Sequence, residues 1–418
     1  MEKVIISQNR HWDIPYSNLY NRTIFEKLKR NLQTKHIQVI QGIRRSGKST
    51  LFKLMINHLS QEIDPEEILY INLDDPFFIS FGDDATKFHD IVQRTKKITQ
   101  KEVKYLFLDE VQNIKGWERY IKSVYDSEEF VKIFVTGSNS TLLEGELATL
   151  LTGRYLSVQV YPLSFKEILN INNITSYMQT LKELPKVLKL IDNMMEHGSF
   201  VEVYEHNDEF KRDILNSYYQ TILLKDCVSN HSIRDVKSFK ELSFYLLSNI
   251  SSLYSYSSLG KAVGIHDQSA KEYLGYLENS YLCTELKQFS FSLKEQQNSK
   301  KKIYYNDNGF VSLSFRFSAN YGKLLENLVL TELLKDGYEC YFYNKNFECD
   351  FIAQKENKTI AIQVCYELND NNKKREFNGL KKLPFSVDEK LILTYNQAQE
   401  IDSNEIKVIS FWEYFFLL

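Results

Sequence analysis

Gly42-Ile43-Arg44-Arg45-Ser46-Gly47-Lys48-Ser49 keeps the spacing G-x-x-x-x-G-K-[ST] at every fixed position. That spacing belongs to loops that cradle phosphates. The two glycines let the backbone turn tightly, so that successive N–H groups point inward at the ligand. Lys48 carries a point charge to the same oxygens, and the Ser49 hydroxyl, followed by Thr50, is a ligand for Mg²⁺. Before the loop, His36 to Gln41 reads as a short strand with apolar residues at alternate positions. After it, Leu51, Leu54, Met55 and Leu59 recur at helical spacing, which sets a helix N-terminus against the phosphates. Strand, loop and helix together predict an α/β fold that binds a nucleotide through Gly42, Ile43, Arg44, Arg45, Ser46, Gly47, Lys48, Ser49 and Thr50.

The remaining chemistry expected of such a site follows in chain order. Glu67 to Leu73 reads as a second buried strand, ending in Asp74-Asp75. Tyr105-Leu106-Phe107-Leu108-Asp109-Glu110 is an apolar run closed by two acids, the pattern of a parallel strand buried on both faces. Asp109 is placed to hold Mg²⁺, and Glu110 to polarise an attacking water as general base. A further strand, Lys132 to Thr136, runs into Gly137-Ser138-Asn139. A polar residue at that tip can sense the γ-phosphate. Asn139 is the first candidate, with Ser138 and Thr136 as rivals, unless Asn139 simply caps a helix starting near Thr141. Arg154 precedes a last strand, Leu156 to Val160. It reads either as a finger reaching a neighbouring subunit's γ-phosphate or as the partner of a carboxylate in its own chain.

Composition narrows the class. The 418 residues are 43% hydrophobic and 26% charged, and 14% are aromatic, with 27 Tyr and 27 Phe. Such a chain has room for two to four globular domains. A net charge of −3 argues against a molecule that binds nucleic acid over its whole surface. The cysteines, Cys227, Cys283, Cys340, Cys349 and Cys365, are scattered and form no C-x-x-C pair. They read as reduced thiols of a cytoplasmic protein. No apolar run approaches the length that spans a bilayer, so no membrane partner is expected.

The set Gly42 to Ser49, Leu73-Asp74-Asp75, Leu108-Asp109-Glu110-Val111-Gln112, Thr136-Gly137-Ser138-Asn139 and Leu151-Thr152-Gly153-Arg154 resembles a prokaryotic family of predicted AAA+ superfamily ATPases. Arg44, Arg45 and Trp117 share in the resemblance, which runs nearly end to end. In that family the ATPase domain is joined to a C-terminal domain of unknown function with a degenerate restriction-endonuclease-like fold. The resemblance implies ATP hydrolysis and supplies no cellular role.

Four segments are expected. Residues 1–165 read as a P-loop AAA+ ATPase core with a helical lead-in through Ile24, Leu28 and Leu32. Residues 166–237 read as a helical lid packed on it, including Tyr218, Tyr219 and Asp226. Residues 238–303 read as a winged-helix module, with two strands around the polar tip Lys294 to Ser299. Its second helix offers Asp267, Gln268, Lys271 and Glu272 and is hardly basic, while Lys300, Lys301 and Lys302 are candidates to touch phosphates from the wing. Residues 304–418 read as the restriction-endonuclease-like α/β domain, ending in an apolar strand or helix from Phe411. There Glu326, Asp350 and Gln363 match metal-site positions implied by that fold, and Cys365 stands where it places a lysine. A thiol supplies neither that charge nor the proton traffic, so nuclease activity is not expected.

The leading expectation is therefore a Mg²⁺-dependent ATPase that alternates between ATP and ADP and drives its attached domains. A homo-oligomer with Arg154 acting in trans is one expectation, and a protein partner of unknown identity is another. Two other classes stay open: an ATP-driven nucleic-acid-processing protein that engages DNA through the winged helix, and a slow nucleotide switch presented to a protein partner.

Overall fold

The computed structural model describes residues 1–82, 84–140, 150–314, 320–398 and 406–418. The chain divides into two compact units, Met1–Val160 and Tyr161–Leu418.

In the first unit, two lead-in helices, α1 (Glu2–Gln8) and α2 (Ile24–Asn31), precede a five-stranded sheet. The sheet elements alternate in chain order: β1 (Ile37–Gln41), α3 (Lys48–Leu59), β2 (Ile68–Asn72), α4 (Lys87–Thr99), β3 (Tyr105–Asp109), α5 (Trp117–Asp126), β4 (Lys132–Gly137) and β5 (Tyr155–Gln159). The strands lie in the order β2-β3-β4-β1-β5, and every neighbouring pair is parallel. Both faces are apolar because both are covered. Val39, Leu69, Ile71, Leu106, Leu108, Ile133 and Val135 pack on one side with residues of α1, α4 and α5. Ile40, Ile68, Tyr70, Phe107, Phe134 and Val158 pack on the other with residues of α2 and α3. There Phe107 and Phe134 stack with centroids 4.2 Å apart, and Phe52 of α3 meets Phe107 edge-on. Alternation therefore decides which cluster a strand residue joins, and burial makes both sets hydrophobic.

The second unit opens with the helices α6 (Phe165–Ile171), α7 (Tyr177–Lys182), α8 (Leu184–His197), α9 (Val201–Glu205) and α10 (Asp208–Thr221), the last continuing as a π-helical stretch over Ile222–Ser229. Expected as a lid on the first unit, this region packs within the second. Phe200 and Tyr219 meet Phe310, Ser199 N–H donates to Asp307, and Phe165 N–H donates to Glu332. The apolar periodicity reported that these helices bury a face, and it carried no information about which face they bury it against.

Next come α11 (Val236–Ser248), α12 (Tyr256–Val263), α13 (Asp267–Asn279), β6 (Cys283–Leu286), α14 (Leu293–Asn298), β7 (Lys302–Tyr305), α15 (Asn308–Ser312) and α16 (Tyr321–Lys335). Strands β6 and β7 form an antiparallel pair. Both strands are four residues long, and the polar tip is helical. The Ser292 side chain caps α14 by accepting from Glu295 N–H. Lys301 and Lys302 are buried, which corrects their assignment to a phosphate-touching wing.

The unit closes with β8 (Glu339–Asn344), β9 (Glu348–Lys355), β10 (Lys358–Cys365), α17 (Lys373–Lys381), β11 (Glu389–Thr394), β12 (Ile406–Ser410) and α18 (Phe411–Leu417), the last of these being the apolar tail. This second sheet has the order β12-β11-β10-β9-β8 and is mixed: antiparallel across β8, β9 and β10, parallel across β10, β11 and β12. Helix α16 is apolar nearly all round and correspondingly buried. Its Asn327 is satisfied by the Tyr305 backbone and the Asn308 side chain, which pins β7 to α16.

One buried charge in the first unit gives a measurable signature. Lys132, 2% exposed at the start of β4, donates through Nζ to the carbonyls of Asn31 and Thr34, both at 2.7 Å. It thereby caps the end of α2, and burial lowers its ammonium to about 8 from the ordinary 10.5. Between those two values the unfolded chain holds a proton that the folded chain lacks, so stability rises with pH in that window. Urea midpoints of the wild type should gain on those of Lys132→Met as pH climbs from 7.5 to 10 (about the span between the two values). Parallel midpoints would show that the ammonium is not desolvated.

Candidate nucleotide site

The phosphate loop joins β1 to α3. Val160 N–H donates to Gln41 O at 2.7 Å, and its carbonyl oxygen lies 2.1 Å from where a Cβ on Gly42 would stand. With φ at +148°, residue 42 accepts only glycine. Gly47, at φ +96°, starts α3 without any side-chain cap. Arg45 is exposed and held at φ +70°, a strained setting for a long side chain. Lys48 is 4% exposed and folds back on its own loop, donating to Gly42 O at 3.0 Å and Ile43 O at 3.1 Å. Ser46 Oγ is buried and finds no hydrogen-bond partner among the described residues. A buried hydroxyl left without a partner among the described residues, beside a buried ammonium, suits an anionic ligand.

Parallel pairing brings the two acids to the same edge of the sheet. Asp109 is fully buried at the end of β3 and accepts from Tyr70 OH at 2.9 Å, from Thr136 Oγ1 and from the Ser49 hydroxyl. Burial pushes its carboxyl up, the Glu110 charge adds to that, and the three hydroxyl donors pull it back. Glu110 sits in the left-handed region at φ +56°. Its N–H donates to Thr136 Oγ1 at 3.0 Å, its Oε2 accepts from Gln112 Nε2 at 2.5 Å, and its Oε1 lies 3.8 Å from Lys48 Nζ. One hydroxyl, that of Thr136, therefore ties both acids to β4.

The residues present fit a nucleotide with a divalent metal. Ser49 and Asp109 touch each other, and hard oxygen donors of this kind hold Mg²⁺ when substrate phosphates complete its shell. Among the described residues, no group of three or more His, Cys, Asp or Glu is placed to hold a metal by itself.

Among the candidates for sensing, Thr136 is the one bonded to both acids. Ser138 Oγ lies 3.4 Å from Gln112 Nε2, and Asn139 is buried at the same tip. The helix that Asn139 would have capped, near Thr141, lies outside the described residues. Arg154 is not brought to the loop. It precedes β5, and its carbonyl accepts from Ile37 N–H at the start of β1, so it stands at the edge of the sheet opposite the phosphate loop. There its Nε pairs with Asp126 at 3.2 Å.

Arg22 went unnoticed in the sequence. It is 8% exposed and donates to Ser46 O at 2.9 Å, bracing the loop from the lead-in segment. That segment is itself anchored along β2: Asn9 exchanges hydrogen bonds with the Tyr70 backbone, and Trp12 donates to Ile68 O. Nothing periodic marks Arg22, because it lies just before α2 in irregular backbone. Arg44 reaches Asp74 at 3.9 Å.

In the second unit, a buried ammonium faces several carboxylates. Lys302 on β7, itself 2% exposed, lies 2.8 Å from Glu348, 3.6 Å from Glu326 and 3.8 Å from Asp350. Burial works against its charge, but those three carboxylates outweigh it and hold the ammonium above its ordinary range. Tyr304 OH donates to Glu326 at 2.6 Å, and Gln363 Oε1 faces Asp350 N–H at 3.4 Å. Burial, with Glu326 adding to it, raises the Asp350 carboxyl well above the carboxylate range. Cys365 donates instead to Glu367 O, its thiol pushed up to about 11 by burial.

A phosphate-loop motif at the end of β1, paired acids at the end of β3 and a five-stranded parallel sheet define a P-loop fold of the AAA+ type. The model of an AAA domain matches residues 34–169, and models of two domains of unknown function, DUF8612 and DUF4143, match 188–321 and 321–414. An uncharacterized protein of Methanocaldococcus jannaschii is 35% identical over 95% of this chain and 91% of its own length. One of Haemophilus influenzae is 32% identical over 91% of this chain and 94% of its own. Among solved structures, the Walker-type ATPase of Pyrococcus abyssi aligns at 14% identity with a TM-score of 0.39, over 72% of this chain and 99% of that one. AMPPCP-bound DnaA from Aquifex aeolicus aligns at 16% and 0.28, over 62% and 88%. The chain belongs to the archaeal and bacterial family of those two uncharacterized relatives, an AAA domain followed by two domains of unknown function.

The Lys302 cluster carries its own test. Lys302→Met leaves buried carboxylates without their counter-charge, and should cost about 3–5 kcal/mol in urea denaturation at neutral pH. Adding Glu326→Gln, which removes a carboxylate facing the ammonium, should recover part of that loss. An undiminished midpoint in the single variant would show the cluster to be solvated.

Proposed function

We propose that the chain is a Mg²⁺-dependent ATPase whose nucleotide state rearranges the second unit. The observation that carries the hydrolysis reading is the arrangement of Lys48, Asp109 and Glu110: a buried ammonium within 3.8 Å of one acid, beside a second acid bonded to Ser49. Gly42 to Thr50 receive the phosphates, and Lys48 exchanges its loop carbonyls for phosphate oxygens. Asp109 and Ser49 hold the metal, which when bound supplies charge neutralisation at the β- and γ-phosphates. Glu110 accepts a proton from the attacking water. The Thr136 hydroxyl, bonded to the Asp109 carboxylate and to the Glu110 N–H, makes Thr136 the sensing residue of this reading, with Asn139 beside it. Coupling is supported by Val160: the last residue of the first unit packs its carbonyl on Gly42, so the chain leaves the first unit beside the phosphate loop.

A second reading, ATP-dependent processing of nucleic acid by a restriction-endonuclease-like C-terminal domain, is favoured by one observation. Lys302 brings an ammonium to Glu326 and Asp350. Against it, the exposed residues of α13, which would be the recognition helix of a winged helix, include Asp267 and Glu272. Metal-dependent nicking of plasmid DNA by the full chain would establish this second reading.

Lys48→Ala should abolish ATP binding in a titration, and unchanged affinity would sink the phosphate-loop assignment. Glu110→Gln should bind ATP yet turn over about 10²- to 10⁴-fold more slowly. Steady-state hydrolysis over a protein concentration series, with and without DNA, separates the remaining readings: a specific rate rising with concentration supports a shared site, stimulation by DNA the nucleic-acid reading, and slow turnover with tightly held ADP a switch. If Arg154 acts in trans on a neighbouring subunit, Arg154→Ala should lose hydrolysis and regain it when mixed with Glu110→Gln. Failure to complement would leave Arg154 as the partner of Asp126 alone.

A further inference from the structure

We propose that Gln112 is a positioning residue that braces Glu110 between the phosphate-loop lysine and the tip of β4. The inference rests on Glu110 acting as the base. The two oxygens of Glu110 have different partners. Oε1 faces Lys48 Nζ at 3.8 Å, and Oε2 accepts from Gln112 Nε2 at 2.5 Å. The same amide nitrogen lies 3.4 Å from Ser138 Oγ, two residues beyond Thr136. A short 3₁₀ turn over Val111–Asn113, entered through the left-handed backbone of Glu110, folds residue 112 back over residue 110.

The residue type suits the task. Only the amide nitrogen can donate to a carboxylate, and the reversed amide would set two acceptors against each other. The amide is neutral, so it can hold a carboxylate without pairing with its charge. An arginine or lysine there would form an ion pair and weaken the base. The orientation also carries a cost: Gln112 Oε1 is buried with no hydrogen-bond partner among the described residues. A merely packed glutamine would not be expected to accept that loss.

The consequence concerns the moment of nucleotide binding. At rest Lys48 is shared between the loop carbonyls and the approach to Glu110. Once Lys48 turns to phosphate oxygens, Glu110 Oε1 loses that neighbour and Gln112 keeps Oε2 in place. Oε1 is then available to a water while the carboxylate plane stays fixed. A base left to swing at this point loses the alignment that its proton transfer needs.

The test compares wild type, Gln112→Met, Gln112→Glu, Glu110→Gln and the double variant Glu110→Gln/Gln112→Met. Steady-state hydrolysis is measured alongside calorimetric titration with a non-hydrolysable ATP analogue and Mg²⁺. Methionine keeps the length without the donor, and glutamate keeps the shape while repelling Glu110. We expect Gln112→Met to lower kcat by about 10²-fold without raising KM, and Gln112→Glu to lower kcat at least as far. Freed from its brace, Glu110 should compete less for Lys48, so Gln112→Met should tighten the analogue by at least about threefold, beyond the additivity error. In the Glu110→Gln background the same substitution should change affinity and residual rate by no more than about twofold. Unchanged kcat in Gln112→Met, or an equal effect in both backgrounds, would overturn the inference. If wild-type turnover ignores Glu110→Gln, it is the base reading that fails, and the affinity cycle still decides whether Gln112 braces Glu110.

Discussion

The carbonyl of Val160 occupies the space that any side chain on residue 42 would need. That close approach is possible only because β5 pairs with β1 in parallel register up to Gln41, and it fixes where the phosphate loop begins. From there the loop turns through Arg45 and Gly47, both in left-handed backbone, and delivers Lys48 into the first turn of α3. Backbone strain at Arg45 and the absence of any side-chain cap on α3 leave N–H donors available at a helix N-terminus. Such donors are most useful to an anion.

The same parallel pairing explains why two acids can sit so close to that lysine. Strand β4 is the middle of the sheet, between β3 and β1, and both β3 and β4 end at the level of the loop, so Asp109 and Glu110 come to the loop's edge by register alone. Register does not orient them. Tyr70 from β2, Ser49 from α3 and Thr136 from β4 converge on Asp109, so its position is held from three neighbouring elements. Burying a carboxylate is costly without such donors, and here all of them are hydroxyls that leave its charge uncompensated. The cation that would offset that charge is what Asp109 and Ser49 are suited to hold.

The second unit solves a buried-charge problem differently. Glu326, Glu348 and Asp350 approach one another because α16 packs on the mixed sheet, and Lys302 arrives from the two-stranded β6–β7 pair to face all three. An ammonium carried on a different element thus welds the hairpin to the sheet. It also explains why the sequence position that looked disabled, Cys365, says little about the charge balance of the cluster. Asn327 repeats the logic with neutral groups, bridging the Tyr305 backbone and Asn308 beneath the same hairpin.

Local sequence was enough to determine the phosphate loop, the parallel strands and the paired acids, because each depends on neighbours a few residues away. Glycine spacing sets backbone freedom, unbroken apolar runs mark strands covered on both faces, and an acid at a strand's end must meet the loop's edge. Contacts made across the chain were not legible. Arg22 on Ser46, Thr136 on Asp109 and Glu110, and Lys302 on three carboxylates each join elements far apart in sequence, and no periodicity records such a meeting. The helices after Val160 show the same division: their apolar faces were evident, yet only packing decided that those faces would meet Phe310 and its neighbours in the second unit. Burial is a property that a segment announces, whereas a partner is chosen by the folded whole.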